Sequence, residues 1–158
     1  MALSKIPNNM QVPLAIGDMP AGSMLQVVQG ETNTSMYSAT DNTPLDTGLQ
    51  ATITPTFSNS KILVTCDVSV GVSNGHSYLD LYIYRQGSNV KKLENSLFWT
   101  NTSTPHFGRV PLTFLDSPSS SSSLVYKIYV QKNGEASGQV QFNPDSGVSI
   151  ITLMEIAQ

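Results

Sequence analysis

Two aspartates, Asp67 and Asp80, come closest to a catalytic arrangement in this sequence. Each falls in a run that alternates apolar and polar residues and is a predicted strand, and the two carboxylates could face one another if these strands were adjacent. Glycoside hydrolysis needs two carboxyl groups about 5 to 9.5 Å apart. The same alternation directs both side chains to outward faces, where acidic residues usually contact solvent. We therefore predict that the protein is not an enzyme.

The histidines and the single cysteine do not form the pattern of a metal or nucleophile site. His76 and His106 lie in stretches rich in Gly, Asn, Ser and Pro, without another ligand at a suitable spacing. A metal site needs three or four such groups to converge. Cys66 falls on the apolar face of a predicted strand, where cysteine behaves as a small hydrophobic residue. We expect neither a metal nor a cofactor.

Aromatic side chains are a second group that could bind a ligand. Tyr78, Tyr82 and Tyr84 share one face of a predicted strand, and Phe98 and Trp99 end a later one. Such rings could form a platform for a sugar or a protein groove, because they combine contact area with a polar handle. They could also pack against a neighbouring sheet or subunit. We take the three tyrosines as interface candidates, and Phe98 and Trp99 as possible ligand-facing residues.

The composition limits the classes of partner. The 158 residues fit one domain, and only 12% of them are charged, about half of the ~25% usual for soluble domains. An uncharged polar surface avoids the cost of burying ions and indicates contact with other subunits; Ser- and Thr-rich β domains also arise because these residues suit strands and turns. The net charge of −3 leaves no basic surface for nucleic acid.

The sequence also contains no predicted membrane segment and no signal peptide. No apolar run approaches the ~20 residues of a membrane helix. The first residues lack the cationic and apolar regions of a secretory signal. We expect synthesis in the cytoplasm and no membrane partner.

Short β-type runs separated by Gly, Asn, Ser and Pro follow one another from residue 23 onward, a spacing typical of a sandwich or barrel. The predicted strands are 24–29, 47–57, 61–70, 78–85, 90–99, 109–115, 124–131, 137–142 and 148–157, with one further short strand within 30–46. We expect 47–57 and 61–70 to form a hairpin, and Pro111 to mark an edge strand or a bulge. The pattern predicts an all-β, jelly-roll-like antiparallel β-sandwich of about eight strands.

The two ends of the chain have distinct patterns. Residues 1–22 contain three prolines and show no periodicity, which predicts an extended N-terminal arm before a β-sandwich domain at 23–158. The last predicted strand is apolar on both faces, with Ile150 and Met154 on one and Ile151 and Leu153 on the other. Such a strand is covered on both sides, by extra layers or at a subunit interface. Ile151 and Leu153 therefore join the interface candidates.

Four segments that span both ends of the chain form a recognisable set. They are 1–7 (MALSKIP), 21–28 (AGSMLQVV), 48–55 (GLQATITP) with 60–64 (SKILV), and 151–157 (ITLMEIA). In these segments the chain resembles the small β-sandwich proteins and fibre-tip domains of bacteriophage particles, particularly marine and cyanobacterial phages. The resemblance implies a jelly-roll-like homotrimer that faces outward and attaches to the particle by its extended N-terminal segment.

Within that family, the resemblance leaves two placements on the particle. A tail fibre usually has a long shaft before its tip, whereas about 20 arm residues span less than ~70 Å. We therefore expect a non-enzymatic capsid decoration (cement) protein at the virion surface, which clamps and stabilises the capsid subunits. Its partner is the major capsid protein, and its attachment residues are Leu3, Ile6, Met10, Val12, Leu14 and Ile16.

Two other functions stay open. The first is a trimeric tail-fibre or receptor-binding tip, held by a tail-fibre or baseplate protein, that recognises host-surface glycan. The second is an isolated carbohydrate-binding or hydrolytic module, which we expect to be a monomer.

Overall fold

The computed structural model describes residues 15–38, 43–73, 77–100, 104–134 and 138–158, without the side chains of residues 37, 38, 77 and 94–100. The strands in these ranges are β1 (Met24–Thr32), β2 (Met36–Ser38), β3 (Leu45–Ile53), β4 (Lys61–Ser73), β5 (Ser77–Arg85), β6 (Ser88–Thr100), β7 (His106–Asp116), β8 (Leu124–Gly134), β9 (Gln139–Phe142) and β10 (Ser149–Ile156). Short 3-10 helices at Ile16–Asp18 and Pro144–Ser146 precede β1 and β10. Neither of these described helices has the length and apolar character needed to cross a membrane.

The strands form two antiparallel sheets that pack face to face. Sheet I has the order β1-β10-β4-β7; β9 continues along β4 beyond β10, and β2 pairs with β9. Sheet II has the order β3-β8-β5-β6. When the short β2 and β9 are left out and the eight remaining strands are renumbered 1 to 8 along the chain, sheet I has the order 1-8-3-6 and sheet II the order 2-7-4-5. This strand order is a jelly roll, which confirms the predicted fold class.

Most predicted strands lie within a few residues of the observed ones, but the predicted hairpin between 47–57 and 61–70 is wrong. β3 belongs to sheet II and β4 to sheet I, so the loop between them crosses from one sheet to the other. Both strands turn an apolar face toward the shared core. Alternation is the same for two strands in facing sheets and for two strands paired in one sheet, so it cannot distinguish these arrangements. The prediction for Pro111 is confirmed, because β7 is an edge strand that pairs only with β4 among the described strands.

The core lies between the two sheets and consists of the inward residues of both. Its largest fully buried apolar side chains are Tyr126, Phe142, Leu49, Ile53, Ile62, Leu79, Leu81, Ile83, Ile128, Ile151 and Leu153. At one corner the sheets approach closely: a Cβ added to Gly30 of β1 would lie 1.9 Å from the backbone oxygen of Gln50 in β3. Only glycine allows the two backbones to approach so closely.

A buried asparagine organises the irregular connection between β9 and β10. Asn143 is fully buried and has a φ of 49°, a left-handed conformation that asparagine adopts more readily than most residues. Its backbone N–H donates to the Ser69 carbonyl (2.8 Å), and its Nδ2 donates to the Thr32 carbonyl (2.9 Å). Its Oδ1 accepts from the hydroxyl of Ser149 (2.5 Å). These contacts join the connection to both β4 and β1.

A buried carboxylate closes one end of the sandwich. Glu155 of β10 is fully buried and points toward the loop between β3 and β4. Its Oε1 accepts from the Thr56 N–H (2.7 Å), the Phe57 N–H (3.3 Å) and the Ser60 hydroxyl (2.7 Å). Its Oε2 accepts from Gln26 Nε2 (2.6 Å) and the Thr56 hydroxyl (3.0 Å). Burial raises the pKa of Glu155, but the hydrogen bonds from Gln26, Ser60 and Thr56 outweigh it and leave the pKa below its usual value.

Candidate interaction surfaces

The outer face of sheet I carries an apolar row that crosses four strands. Strand register places Val27, Met154, Leu63 and Leu115 side by side on β1, β10, β4 and β7. Val27 and Leu115, at the two ends, are 51% and 49% exposed. Strands lie about 4.8 Å apart, so this apolar row extends for roughly 15 Å.

The polarity of this face changes with distance from the apolar row. The next row is uncharged and consists of Gln29, Thr152, Thr65 and Thr113. The row after it contains Glu31 and Asp67, and Asp67 forms an ion pair with Arg109 at 2.8 Å. The face therefore runs from apolar through uncharged polar to charged.

The described chain enters the sandwich beside the end of β10. The Gly22 N–H donates to the Ala157 carbonyl, and the Ala157 N–H donates to the Ser23 carbonyl, both at 2.9 Å. Of the predicted attachment residues, Ile16 lies in the first 3-10 helix and is 56% exposed. The other five, Leu3, Ile6, Met10, Val12 and Leu14, lie outside the described residues.

The predicted interface residues of β10 do not lie on the outer face of sheet I. Ile151 and Leu153 are fully buried and face sheet II, so they belong to the core of the sandwich. Alternation along β10 separated the two faces correctly but did not identify which one points outward. The outward face carries the other set, which includes Ile150 and Met154, both half-buried.

The predicted tyrosines lie on the outer face of sheet II, where two of them join a third ring. The rings of Tyr84 and Tyr129 stack with centroids 4.0 Å apart, and Tyr82 meets Tyr84 edge to face at 6.5 Å. The Tyr82 hydroxyl donates to Gln131. We call Tyr82, Tyr84 and Tyr129 the tyrosine cluster; Tyr78 lies further along the same outward face of β5. The contact between Tyr129 and Tyr84 depends on the pairing of β5 with β8.

The two aspartates first considered for catalysis lie on opposite outer faces of the sandwich, because β4 is in sheet I and β5 in sheet II. Asp67 pairs with Arg109. Asp80 is 1% exposed and accepts from Asn133 (2.6 Å), with the Lys92 ammonium at 2.6 Å. Asp67 and Asp80 therefore do not face one another across adjacent strands.

A groove of about 400 Å³ runs over the first half of β8. We call it the β8 groove. The residues that line it are Gln50, Thr52, Gln86, Gly87, Val125, Lys127 and Tyr129. They come from β3 on one side, β8 beneath, and the β5–β6 turn on the other side. Gln86 and Gly87 have φ values of 50° and 78°, as in the type I′ turn that suits a two-residue hairpin loop.

An ion pair lies at one end of the groove. Lys127 Nζ is 2.7 Å from Oδ2 of Asp46, and this oxygen also accepts from the Tyr129 hydroxyl. Oδ1 of Asp46 accepts from the Gly48 N–H. Burial raises the pKa of Asp46, but the hydrogen bonds and the charge of Lys127 lower it below its usual value. The ion pair leaves this end of the groove without net charge.

The remaining candidate residues make no additional site within the described ranges. The side chains of Phe98 and Trp99 lie outside the described part, so their ligand-facing role stays a prediction. Cys66 is buried as predicted, and burial raises the pKa of its thiol to about 12. Among the described residues, no three His, Cys, Asp or Glu side chains converge in a way that could hold a metal ion.

Comparisons with known proteins find similarity in structure only. No protein-family model matches the chain, and no curated protein sequence matches it. Among solved structures, a chain of infectious bursal disease virus Gt strain is similar over 87% of this chain and 39% of its own length, with 14% identity and a TM-score of 0.49. The VP2 subviral particle of the same virus is similar over 86% of this chain and 39% of its own length, with 12% identity and a TM-score of 0.48.

A third similar structure is the dimeric latent PorU from Porphyromonas gingivalis, with 11% identity, a TM-score of 0.41, and 87% of this chain and 14% of that chain covered. In all three cases this chain spans less than two fifths of the length of the chain that it matches. One fold occurs in proteins of many unrelated functions.

Proposed function

We propose that this protein is a non-enzymatic structural component of a bacteriophage particle, and that it assembles as a homotrimer through the outer face of sheet I. The apolar row carries this proposal. Soluble monomers rarely expose large contiguous apolar patches, and here such a row crosses the width of a sheet beside an uncharged row. A second protein surface that covers both rows would bury apolar area without desolvating an ion.

The most specific form of the proposal is a capsid decoration, or cement, protein. Residues 1–17 would attach to the major capsid protein, and the linked arms of a trimer would gain from high effective concentration even if each contact were weak. The position of Gly22 beside Ala157 supports this form, because an arm that leaves there starts close to the apolar row, which includes Met154 of β10.

A variant with charges at both ends of the apolar row tests the assembly surface. Val27→Glu combined with Leu115→Glu should convert the trimer to a folded monomer, because two ions per chain would be desolvated in the contact. The matched control is Gln50→Glu with Thr52→Glu, on exposed positions of the other sheet, which should remain trimeric. A Val27/Leu115 variant with the mass of the wild type would refute the proposed surface.

The attachment arm requires a separate experiment. Deletion of residues 1–17 should abolish co-sedimentation with isolated capsids and leave a folded trimer. Full retention of capsid binding by the truncated protein would exclude these residues as the anchor.

The second candidate function is a trimeric tail-fibre tip that contacts host-surface glycan. The observation that favours it is the β8 groove, which lies on the sheet opposite the proposed assembly surface. A trimer built through sheet I leaves sheet II available to a ligand.

A further inference from the structure

We infer that the β8 groove binds a neutral saccharide. This inference deepens the second candidate function by naming the site and the class of ligand, and it does not depend on trimer formation. The groove volume of about 400 Å³ lies within the range of roughly 300 to 1,000 Å³ found for small-molecule sites.

The charge of the groove favours a neutral ligand. Lys127 is the only charged residue among those that line it, and its ammonium is paired with Asp46 at 2.7 Å. An anionic ligand would have to compete with the Asp46 carboxylate for Lys127 and would lie close to that carboxylate. A ligand with hydroxyl groups and no charge avoids this repulsion.

Two side chains of β3 supply hydrogen-bonding capacity. Gln50 and Thr52 are exposed on the outer face, and no contact within the described residues uses the Gln50 amide or the Thr52 hydroxyl. An amide presents a carbonyl acceptor beside two N–H donors, and a hydroxyl both donates and accepts. Neighbouring hydroxyl groups of a sugar ring match such mixed donors and acceptors. Tyr129 and Val125 add apolar surface for the carbon face of the ring.

The opposite wall of the groove is held in place before any ligand binds. The Gln86 N–H donates to the Val125 carbonyl (3.0 Å), and the Val125 N–H donates to Gln86 Oε1 (3.1 Å). Gln86 Nε2 also donates to the Ser123 carbonyl at 3.1 Å. Tyr129 is fixed by its stack on Tyr84. Groups that are already ordered lose little conformational entropy when a ligand binds.

Glycan binding by the full-length protein tests the inference. The probe is an array of neutral and acidic oligosaccharides, followed by titration calorimetry with the neutral glycan that binds best. We expect Gln50→Ala with Thr52→Ala to weaken its Kd about tenfold or more, because two hydrogen bonds are lost. Thr34→Ala, at an exposed threonine in the loop between β1 and β2, is the matched control and should keep the Kd within about twofold.

Three results would overturn the inference: no neutral glycan bound at millimolar concentration, binding of acidic glycans alone, or an unchanged Kd in the Gln50/Thr52 variant. Binding of an extended peptide at the β8 groove, lost in the same variant without any glycan binding, would also overturn it. Light scattering on the same samples separates this failure from that of the proposed assembly, because the β8 groove and the apolar row lie on different sheets.

Discussion

Replacement of Glu155 by glutamine should destabilise the protein by about 2 kcal/mol. The carboxylate accepts five hydrogen bonds. Glutamine keeps one acceptor oxygen for the Thr56 and Phe57 N–H groups, but its NH₂ then faces Gln26. Hydrogen bonds to charged groups contribute about 1.5 to 3 kcal/mol and neutral ones about 0.5 to 1.5 kcal/mol. The variant therefore loses the charge that strengthens the remaining hydrogen bonds, and the Gln26 amide loses its acceptor. Part of this loss is offset because a neutral side chain costs less to bury than a carboxylate.

A larger change at the same position gives the scale of the effect. Glu155→Leu removes both acceptor oxygens and all five hydrogen bonds, and it leaves two backbone N–H groups and the Ser60 hydroxyl without partners. Each unsatisfied buried group costs about 1 to 3 kcal/mol, so we expect a loss of about 4 kcal/mol or more. The matched control is Glu31→Gln on the exposed face of β1, which should change the free energy of unfolding by less than about 0.5 kcal/mol.

Urea-induced unfolding at one fixed protein concentration measures these differences, since assembly makes stability depend on concentration. The pKa of Glu155 is lowered in the folded protein. Its contribution is therefore complete above the unfolded pKa of about 4.3 and is lost as the pH falls through the folded value. The difference between wild type and Glu155→Gln should persist at pH 7 and narrow below about pH 4. A Glu155→Gln protein as stable as Glu31→Gln at pH 7 would refute the reasoning.

Three further predictions concern other parts of the fold. Asn143→Ala should lower the free energy of unfolding by about 2 to 4 kcal/mol, measured in urea, because buried polar groups of β1 and β10 lose their partners; a loss below 0.5 kcal/mol would contradict the role of this residue. Gly30→Ala should cost about 3 kcal/mol or more, since its Cβ would overlap the Gln50 backbone, whereas Gly17→Ala, with open space around it, should unfold at the wild-type urea midpoint. Cys66 should react with a thiol reagent at neutral pH only upon unfolding, because burial raises its pKa; rapid labelling of the folded protein would exclude a buried thiol.

The positions of the strands could be predicted from the sequence because alternation and turn residues are local signals. The run from Ile62 to Val70 gave both the strand and its core face. Pairing is not local, so alternation could not predict that β3 and β4 belong to different sheets. The Gln86-Gly87 turn lacks the Asn or Asp that commonly marks a type I′ turn, and only its glycine pointed to it.

The candidate surfaces were less predictable than the fold. The apolar row joins Val27 and Leu115, which are far apart in sequence and share a row only through strand register. The β8 groove likewise needs three chain segments, and the sequence signalled only the tyrosines of β5. Four of the five hydrogen bonds to Glu155 come from a loop about 100 residues earlier, and the fifth comes from Gln26 of β1. Such sites depend on tertiary structure, which residue patterns within one strand do not contain.

We propose that the outer face of sheet I holds copies of this chain together. Light scattering of the purified full-length protein over a range of micromolar concentrations tests it most directly. Three chains of 17.0 kDa predict a mass of about 51 kDa. A stable species of 17.0 kDa at every concentration would contradict the claim.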